Sequence, residues 1–113
     1  MSYKISYSHD FTVEAKRLKK RYHSFMTDLE EFQNSLQENP FQGVELFPNI
    51  RKIRIPIKSK GRGKAGSARV ITANAIIAGH QGKIALLTIY DKSDFSTVDL
   101  NIIKQMAREL GFI

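Results

Sequence analysis

The segment RVITANAIIAGHQGKIALLTIYD (Arg69–Asp91) decides the fold, because two runs rich in branched apolar residues flank a short turn. Arg69 to Ala78 and Lys83 to Asp91 each have the length and composition of a β-strand. The turn, His80-Gln-Gly82, is short enough to join the two runs as an antiparallel hairpin. The chain is therefore expected to be organised around this hairpin.

The residues before the hairpin predict a further strand with one apolar face and one basic face. Ile53, Ile55 and Ile57 alternate with Arg54, Pro56 and Lys58, which is the period-2 pattern of a half-buried strand. Proline cannot donate a hydrogen bond to a neighbouring strand, so we expect this strand to lie at an edge or to break at Pro56.

Two amphipathic helices are predicted after a short first strand at Tyr3–Tyr7. The apolar residues of the first helix recur at spacings of three and four, the period of one helix face, and are Phe11, Ala15, Leu18, Tyr22 and Phe25. Either Ser8 or Asp10 can cap its start. The capping-box form of Thr27-Asp-Leu-Glu30 places the second helix start near Thr27, and Asn39-Pro40 ends that helix.

A last helix follows the hairpin, with a cap within Ser96–Asp99 and a stop at Gly111. Its apolar stripe consists of Leu100, Ile103, Ala107 and Leu110. The order β-αα-βββ-α predicts an α+β fold with a mostly antiparallel sheet of about four strands, two N-terminal helices and a C-terminal helix. At 113 residues, the chain has room for a single domain spanning residues 1–113.

Composition limits the chemistry that this chain is expected to perform. Cysteine is absent, and the three histidines have no metal-ligand spacing. No apolar run approaches the roughly 20 residues that cross a bilayer. We therefore expect a cytoplasmic protein that uses no cofactor and no metal and has no membrane partner.

Positive charge is concentrated in one part of the chain. The sequence has 18 Lys and Arg residues against 11 Asp and Glu residues, and nine of those cations lie between Leu46 and Tyr90, where there is no acidic residue. Such a one-sided distribution is typical of a surface that binds phosphate. Nucleic acid is the expected partner, ahead of an acidic protein segment or an anionic membrane surface.

Three elements of this basic segment can perform chemistry. The glycine-rich loop from Lys58 to Lys64 lets the backbone approach a phosphate, although Ala65 after Gly63-Lys64 excludes a Walker loop. Arg69, at a strand start, is suited to grip a phosphate bidentately. Tyr90 and Lys92 share parity, so both side chains leave one face if the strand continues that far. A tyrosine among cations can stack on an unpaired base.

Each of these elements also has a purely structural interpretation. The loop can serve only as a hairpin connection, and Arg69 can pair with Asp91 or Asp94. The Tyr90–Asp94 run can be a polar strand end that leads into a helix cap. The basic run on the first helix, Lys16 to Arg21, is interpreted first as a solvated helix face and second as another phosphate-contacting patch.

Two runs of sequence carry a resemblance to a known family. Gly63-Lys-Ala-Gly-Ser-Ala-Arg-Val-Ile71, followed by a hairpin, Leu87-Thr-Ile-Tyr-Asp-Lys-Ser-Asp94 and a terminal helix, resembles the RelE/HigB toxins of bacterial type II toxin–antitoxin modules. Many members have Gly-Lys-Ser-Gly-Gly-aromatic-Arg-Val-Ile at the first run. Ala68 here stands where an aromatic residue is common. The resemblance covers nearly the whole chain.

The resemblance implies an endoribonuclease (mRNA interferase) that cuts mRNA, usually on the ribosome, by metal-independent attack of a ribose 2′-OH on its adjacent phosphate. It implies that Arg69 stabilises the phosphorane and that Lys64 contacts phosphate. Lys92 would stabilise charge or protonate the leaving oxygen, and Tyr90 would orient the base or the 2′-OH. The implied RNA-binding residues are Lys58, Lys60, Arg62 and Arg54. A cognate antitoxin with an acidic segment is the implied protein partner.

Two other functions stay open from the sequence. One is a toxin of the same fold with a target other than RNA, such as the gyrase poisons called ParE. The other is a non-catalytic RNA-binding module, because positive charge specifies binding and does not specify a reaction.

Overall fold

The computed structural model describes residues 3–60, 67–78, 81–92 and 98–113. The elements in chain order are β1 (Tyr3–Tyr7), α1 (His9–Arg21), α2 (Phe25–Glu38), β2 (Val44–Phe47), β3 (Ile50–Pro56), β4 (Ser67–Ala78), β5 (Gln81–Asp91) and α3 (Leu100–Glu109), with one 3₁₀ turn at Lys58–Lys60. No helix in these ranges is both long enough and apolar enough to cross a bilayer.

The five strands form one sheet in the order β1-β5-β4-β3-β2. Strand β1 pairs parallel with β5, and the other three pairings are antiparallel. The predicted α+β class and the β4–β5 hairpin are confirmed. The sheet is mixed and has five strands, so the prediction of about four strands missed one of them.

The missed strand is β2, which pairs with the first half of β3. Its four residues are exposed or half-buried and show no apolar alternation, so a period-2 pattern could not reveal it. Gly43, directly before β2, has a φ of 78° and lies close to β3. A Cβ atom at this position would be 2.2 Å from the Lys52 carbonyl oxygen. Only glycine fits there. Pro56 is paired with Ser67 on β4, but it lies beyond Lys52, the last β3 residue in the described pairing with β2. The missing N–H of proline is tolerated at such a position.

Helices cover both faces of the sheet. Helices α1 and α2 pack on one face through the predicted apolar stripe, with Phe11, Leu18 and Phe25 fully buried against Ile53, Ile55, Ile57, Val70, Leu86 and Ile89. Helix α3 packs on the opposite face through Ile103 and Ala107, against Ile50, Ile71, Ala73, Ala85, Leu87 and Tyr90. Burial of each such aliphatic side chain stabilises the fold by roughly 1.5–3 kcal/mol before entropy is counted.

The start of α2 differs from the prediction. The helix begins at Phe25 after Ser24, and Thr27 lies within its first turn. The Ser24 hydroxyl donates to Asp28 Oδ2 at 2.6 Å and lies 2.8 Å from Ser59 Oγ. Asp28 Oδ2 also accepts from the Lys58 backbone N–H at 3.1 Å. This long-range network ties α2 to the segment after β3, so tertiary contacts overrode the local capping pattern.

One irregularity in β5 decides which way the end of that strand faces. Ile71 pairs with Thr88 but Thr72 pairs with Leu86, so β5 has a β-bulge at Leu87. Before the bulge, Leu86 faces α1 and α2. After it, Ile89 and Asp91 face α1 and α2, whereas Tyr90 faces α3. The extra residue therefore reverses the alternation that a regular strand would give.

Ser8 connects this bulge to the start of α1. Its Oγ accepts from the Phe11 backbone N–H at 3.0 Å, as an N-cap, and donates to the bulged Leu87 carbonyl at 2.5 Å. Its backbone N–H donates to the Leu86 carbonyl at 3.1 Å. Strand β1 ends at Tyr7, opposite Leu86, so Ser8 supplies the last hydrogen bonds along this edge of β5.

Asp91 is buried on the α1 side of the sheet, where it binds the end of α1. Its Oδ2 accepts from the Tyr22 hydroxyl at 2.5 Å and from Arg21 Nη1 at 3.2 Å. Burial, followed by the hydrogen bond to Asp91, raises the pKa of Tyr22. The phenol thus stays protonated and donates throughout the neutral range. The interpretation that Arg69 pairs with Asp91 is wrong, because Asp91 and Arg69 lie on opposite faces of the sheet.

Replacing Ser8 should destabilise the protein through two lost hydrogen bonds. We expect Ser8→Ala to lower the free energy of unfolding by about 1–3 kcal/mol, since both an N-cap and a bond to the bulge disappear. Ser8→Thr retains both groups and should cost less than about 1 kcal/mol. Urea unfolding measures both values, and equal losses in the two variants would contradict the assigned role of the hydroxyl.

Replacing Asp91 should be costlier than breaking an exposed ion pair. Asp91→Ala leaves the Tyr22 hydroxyl and Arg21 without their buried acceptor, and we expect a loss of about 2–4 kcal/mol. Glu31→Gln is the matched control, because Glu31 pairs with Lys58 on the surface at 2.8 Å, and should cost less than about 1 kcal/mol. Similar unfolding midpoints for the two variants would show that Asp91 does not hold α1 to β5.

Candidate nucleic-acid interface

The central feature of the site is a row of three side chains that crosses three adjacent strands. Arg69 on β4 pairs with Arg54 on β3 and with Tyr90 on β5. Directly opposed residues have Cβ atoms about 4.5–5.5 Å apart and project from the same face. We call Arg54, Arg69 and Tyr90 the arginine row. It lies on the α3 face of the sheet, and α3 covers its last member, Tyr90.

Arg69 occupies the middle of the row and is half-buried. Its Nη1 donates to Ser67 Oγ at 2.6 Å and to the Ala68 carbonyl at 3.3 Å. Both acceptors are neutral. The ion pairs found among the described residues do not involve Arg69. The guanidinium is held in position on a central strand while its positive charge is left available for an anion.

Tyr90 is more buried than the sequence pattern indicated. Its side chain is 5% exposed and packs in the α3 cluster. Burial raises the pKa of the Tyr90 phenol, and the Arg69 guanidinium opposes that rise. The opposing effect is consistent with the cross-strand pairing of the two residues. A phenol with a raised pKa stays neutral near pH 7, so Tyr90 can donate a hydrogen bond but is a poor base.

Neither the ring face nor the hydroxyl of Tyr90 is open to a ligand, because the phenol oxygen is buried as well. The predicted stacking of Tyr90 on an unpaired base would require α3 to move away. The burial follows from the bulge at Leu87, which turns Tyr90 toward α3, and a single-sequence pattern carries no signal for that bulge.

Lys92 lies one residue beyond the end of β5 and is exposed. The expectation that Tyr90 and Lys92 share a strand face required the strand to continue through Lys92, and β5 ends at Asp91. Lys92 therefore lies close to the row along the chain without having a strand-defined direction. Asp94 and the rest of residues 93–97 lie outside the described residues.

Of the predicted RNA-binding residues, the structure brings Arg54 into the row and directs Lys58 elsewhere. Lys58 Nζ donates to the Glu31 carboxylate on α2 at 2.8 Å and 3.1 Å. The hydrogen bond to Glu31 raises the pKa of Lys58, which stays charged. Since α2 packs on the face opposite α3, Lys58 lies away from the row. Arg62, Lys64 and the Lys60 side chain lie outside the described residues.

One cation that the sequence reasoning left out of the site belongs beside the row. Lys52 is half-buried, pairs with Ile71, and lies two residues before Arg54 on the same face of β3. The sequence does contain an indication of this, because residues two apart in a strand, such as Lys52 and Arg54, lie on the same face. Extending the alternation of β3 back by one pair would have included Lys52.

A groove adjoins the row at Tyr90. It has a volume of about 380 Å³ and lies between the starts of α1 and α3, with Thr88 and Tyr90 among the β5 residues that line it. Its other walls are mainly apolar. Tyr90 was predicted from the sequence as a site residue, but the groove around it was not, because residues far apart in the chain form it.

The described residues favour binding of an anion rather than binding of a metal ion. Within the described ranges, no group of three or more His, Cys, Asp or Glu side chains is arranged to hold a metal. The row instead combines two guanidinium groups with a neutral phenol. Such a set can bind a phosphodiester and stabilise added negative charge on it.

The chain was also compared with models of known protein families. No family model matches it. The arginine row and its neighbours are therefore interpreted below from their own chemistry and from the motif resemblance.

Proposed function

We propose that this protein is a RelE/HigB-type toxin of a type II toxin–antitoxin module and acts as an mRNA endoribonuclease. The observation that carries the proposal is the pairing of Arg69 with Tyr90 across β4 and β5. These residues come from the two separate sequence motifs that resemble the family. Two motifs that act on one phosphate must meet in the fold, and here they meet on one face of the sheet.

The proposed reaction is cleavage of RNA by its own ribose. The 2′-oxygen forms a bond to the adjacent phosphorus, and the bond from phosphorus to the 5′-oxygen breaks. The products are a 2′,3′-cyclic phosphate and a 5′-hydroxyl end. The 2′-hydroxyl gives up its proton during attack, and the 5′-oxygen takes one as it leaves. The transition state carries additional negative charge on the phosphoryl oxygens, so fixed cations beside them lower the barrier.

Arg69 is the residue best suited to stabilise that charge. It lies on a central strand, where its position is set by pairing on both sides, and hydrogen bonds to Ser67 and Ala68 restrict its guanidinium. Restricted donors need little reorganisation during the reaction, which is the physical basis of their contribution. Arg54 and Lys52 extend the positive surface along β3 and would bind the neighbouring phosphates.

Tyr90 would act as a neutral hydrogen-bond donor. Its raised pKa keeps the phenol protonated over the working range of pH. The hydroxyl is buried under α3, so it would donate to a phosphoryl oxygen or orient the 2′-OH once α3 shifts on RNA binding. Lys92 is proposed to stabilise the leaving 5′-oxygen or protonate it, and Lys64 to contact phosphate. The protein itself would thereby supply the positive charge that the reaction requires.

The proposed partners follow from the same charge. The mRNA, presented on the ribosome, would lie along the basic face, and an acidic segment of an antitoxin would compete with it for the same cations. Both associations should weaken as salt rises, because counterion release and screening act on each of them.

Removing Arg69 should abolish most of the activity. We expect Arg69→Ala to lower the rate of mRNA cleavage on translating ribosomes by about 100-fold or more, as expected for loss of a charged donor to the transition state. Arg69→Lys should recover part of this loss, since charge returns without the bidentate geometry. Arg108→Ala is the matched control: Arg108 lies at the exposed end of α3 and binds Gln105. Wild-type activity in soluble, folded Arg69→Ala protein would contradict the assignment.

Removing the Tyr90 hydroxyl should slow cleavage without changing its pH dependence between pH 6 and pH 9. The raised pKa means that the phenol is neutral across this interval, and ionisation becomes important only above about pH 10. We expect Tyr90→Phe to lower the rate by about 10- to 100-fold at every pH, measured by primer extension on cut messages. If the wild-type cleavage rate changes with pH within this interval and the Tyr90→Phe rate does not, Tyr90 is instead a base that titrates there.

The same assays distinguish the alternative functions. Salt-sensitive RNA binding with no cuts on translating ribosomes would indicate a non-catalytic RNA-binding module. Growth arrest with DNA-damage signalling and intact messages would indicate a ParE-like target. Exposed lysines alone could bind RNA. A restricted arginine beside a neutral phenol adds little to binding but is suited to stabilise a transition state, so the row favours RNA cleavage over either alternative.

A further inference from the structure

The groove beside Tyr90 has a charge distribution opposite to that of the row. Three of the chain's 11 carboxylates line it, and the described residues of its wall include no lysine or arginine. They are Asp10 and Glu14 on α1, and Asp99 before α3. The protein as a whole has a net charge of +7. The groove is therefore a locally acidic site, and it adjoins the basic arginine row at Tyr90.

Helix geometry explains part of this arrangement. Asp10 lies in the first turn of α1, and Asp99 caps α3 by accepting from the Asn101 N–H at 2.9 Å. Carboxylates are stabilised at helix starts. Glu14 has no such explanation, since it lies one turn further along α1, where its ion-pair partner among the described residues is the exposed Arg17 at 3.6 Å. The informative fact is that α1 and α3 both begin at this groove and direct carboxylates to its rim.

The floor and one wall of the groove are apolar. Val98 and Met106 line the α3 side, and Ile102, on the same helix, is 60% exposed. Thr88 and Tyr90 belong to the floor, and Tyr90 is also the last member of the arginine row. Among the described residues, the pairing of β1 with β5 ends at Leu86, so the groove lies at the edge of β5 beyond β1.

Moving across the sheet from Arg54 to Arg69, Tyr90 and the groove, the surface changes from cationic to apolar and anionic. A nucleotide has the same polarity, with an anionic phosphate at one end and a flat base with N–H donors at the other. The carboxylates repel a phosphate and accept hydrogen bonds from amino and imino groups of a base. The volume lies at the small end of the range for ligand sites, about 300–1,000 Å³, and suits one nucleoside better than a helix.

From this polarity we infer that the groove is a base-specificity pocket, which takes one unstacked base of the RNA strand whose phosphate lies on the arginine row. Guanine is the preferred base, because its adjacent N1–H and N2–H₂ groups can both donate to one carboxylate. Adenine and cytosine offer only an amino group on that edge, and uracil offers a single imino group between two carbonyls. This inference rests on the proposed function, since the row must bind RNA for the groove to bind a base.

The test uses single-stranded, 2′-O-methylated oligonucleotides, which cannot be cleaved. Each carries one base (guanine, adenine, cytosine or uracil) on an otherwise abasic backbone, and a fully abasic strand serves as reference. Fluorescence anisotropy at one fixed salt concentration measures the affinities. We expect the guanine strand to bind about tenfold more tightly than the uracil or abasic strands, as is usual for a two-bond base contact.

Two α3 variants separate the groove from the rest of the surface. Ile102→Trp fills the groove from an exposed position and should reduce the affinity for the guanine strand to that of the abasic strand. Leu110→Trp is the matched control, because Leu110 is also an exposed apolar residue, 44% exposed against 60% for Ile102, directly after α3 and outside the groove. It should leave all affinities unchanged.

Removing carboxylates gives effects of opposite sign on the two kinds of strand. In the double variant Asp10→Asn with Glu14→Gln, the preference for guanine over uracil should fall to about threefold or less. The affinity for the abasic strand should stay the same or rise, since two negative charges near the phosphates are gone. Asp99 is left intact because it caps α3.

Arg69→Ala makes the two possible failures distinguishable. It should weaken binding of every strand, abasic included. If no strand binds, or if Arg69→Ala changes nothing, the proposed function and the groove both fail. If Arg69→Ala weakens all strands but the wild type shows no base preference, or Ile102→Trp leaves that preference intact, the groove inference alone is wrong.

Methyl NMR provides direct evidence of contact. The methyl signals of Ile102 and Met106 should shift with the guanine strand and stay fixed with the abasic strand. If they stay fixed with every strand and shift only with an apolar, basic peptide, the groove is a protein-docking site and the base-pocket inference is overturned.

Discussion

The bulge at Leu87 is the constraint on which the candidate site depends. In a regular strand Tyr90 would face the same side as Leu86, toward α1 and α2, and Asp91 would face α3. With one extra residue in β5, Tyr90 instead lies beside Arg69 and Asp91 lies against Tyr22 and Arg21. A carboxylate on the α3 face would neutralise Arg69 and repel phosphate. The bulge removes that carboxylate from the basic face and uses it to hold α1.

The bulge is itself held by the chain that precedes α1. Strand β1 stops opposite Leu86, and Ser8 then binds the carbonyls on both sides of that stopping point while it caps α1. Ser8 thus links three features by hydrogen bonds: the end of β1, the bulge in β5 and the start of α1. Because β1 ends there, β5 continues past its pairing with β1, and the groove beside Tyr90 forms between α1 and α3. The position of one serine hydroxyl therefore affects both the row and the groove.

Much of this fold follows from local patterns, and the parts that do not have physical reasons. The alternation of Ile53, Ile55 and Ile57 and the spacing of Phe11, Ala15 and Leu18 indicate burial directly, so β3 and α1 could be predicted. The same spacing continued to Tyr22 and Phe25, although α1 ends at Arg21 and Phe25 begins α2. Strand β2 is too exposed to have a pattern, and α2 begins where Ser24 finds partners far away in sequence. The bulge depends on the pairing of β5 with β4. A parity argument drawn from a single strand contains no information about such a pairing.

For the site, the sequence identified residue types better than it identified their arrangement. Arg54, Arg69 and Tyr90 were all candidates, and the sheet brings the three together because β3, β4 and β5 are neighbours with a regular register at this end. Lys58 was an equal candidate by charge, yet it binds Glu31 on the other side of the sheet. Positive charge in a segment specifies the sign of the ligand, whereas the register of three strands specifies which cations can contact the same phosphate. The contrast between the row and the acidic groove adds a direction, since a nucleotide that spans the two fits only with its phosphate toward Arg69.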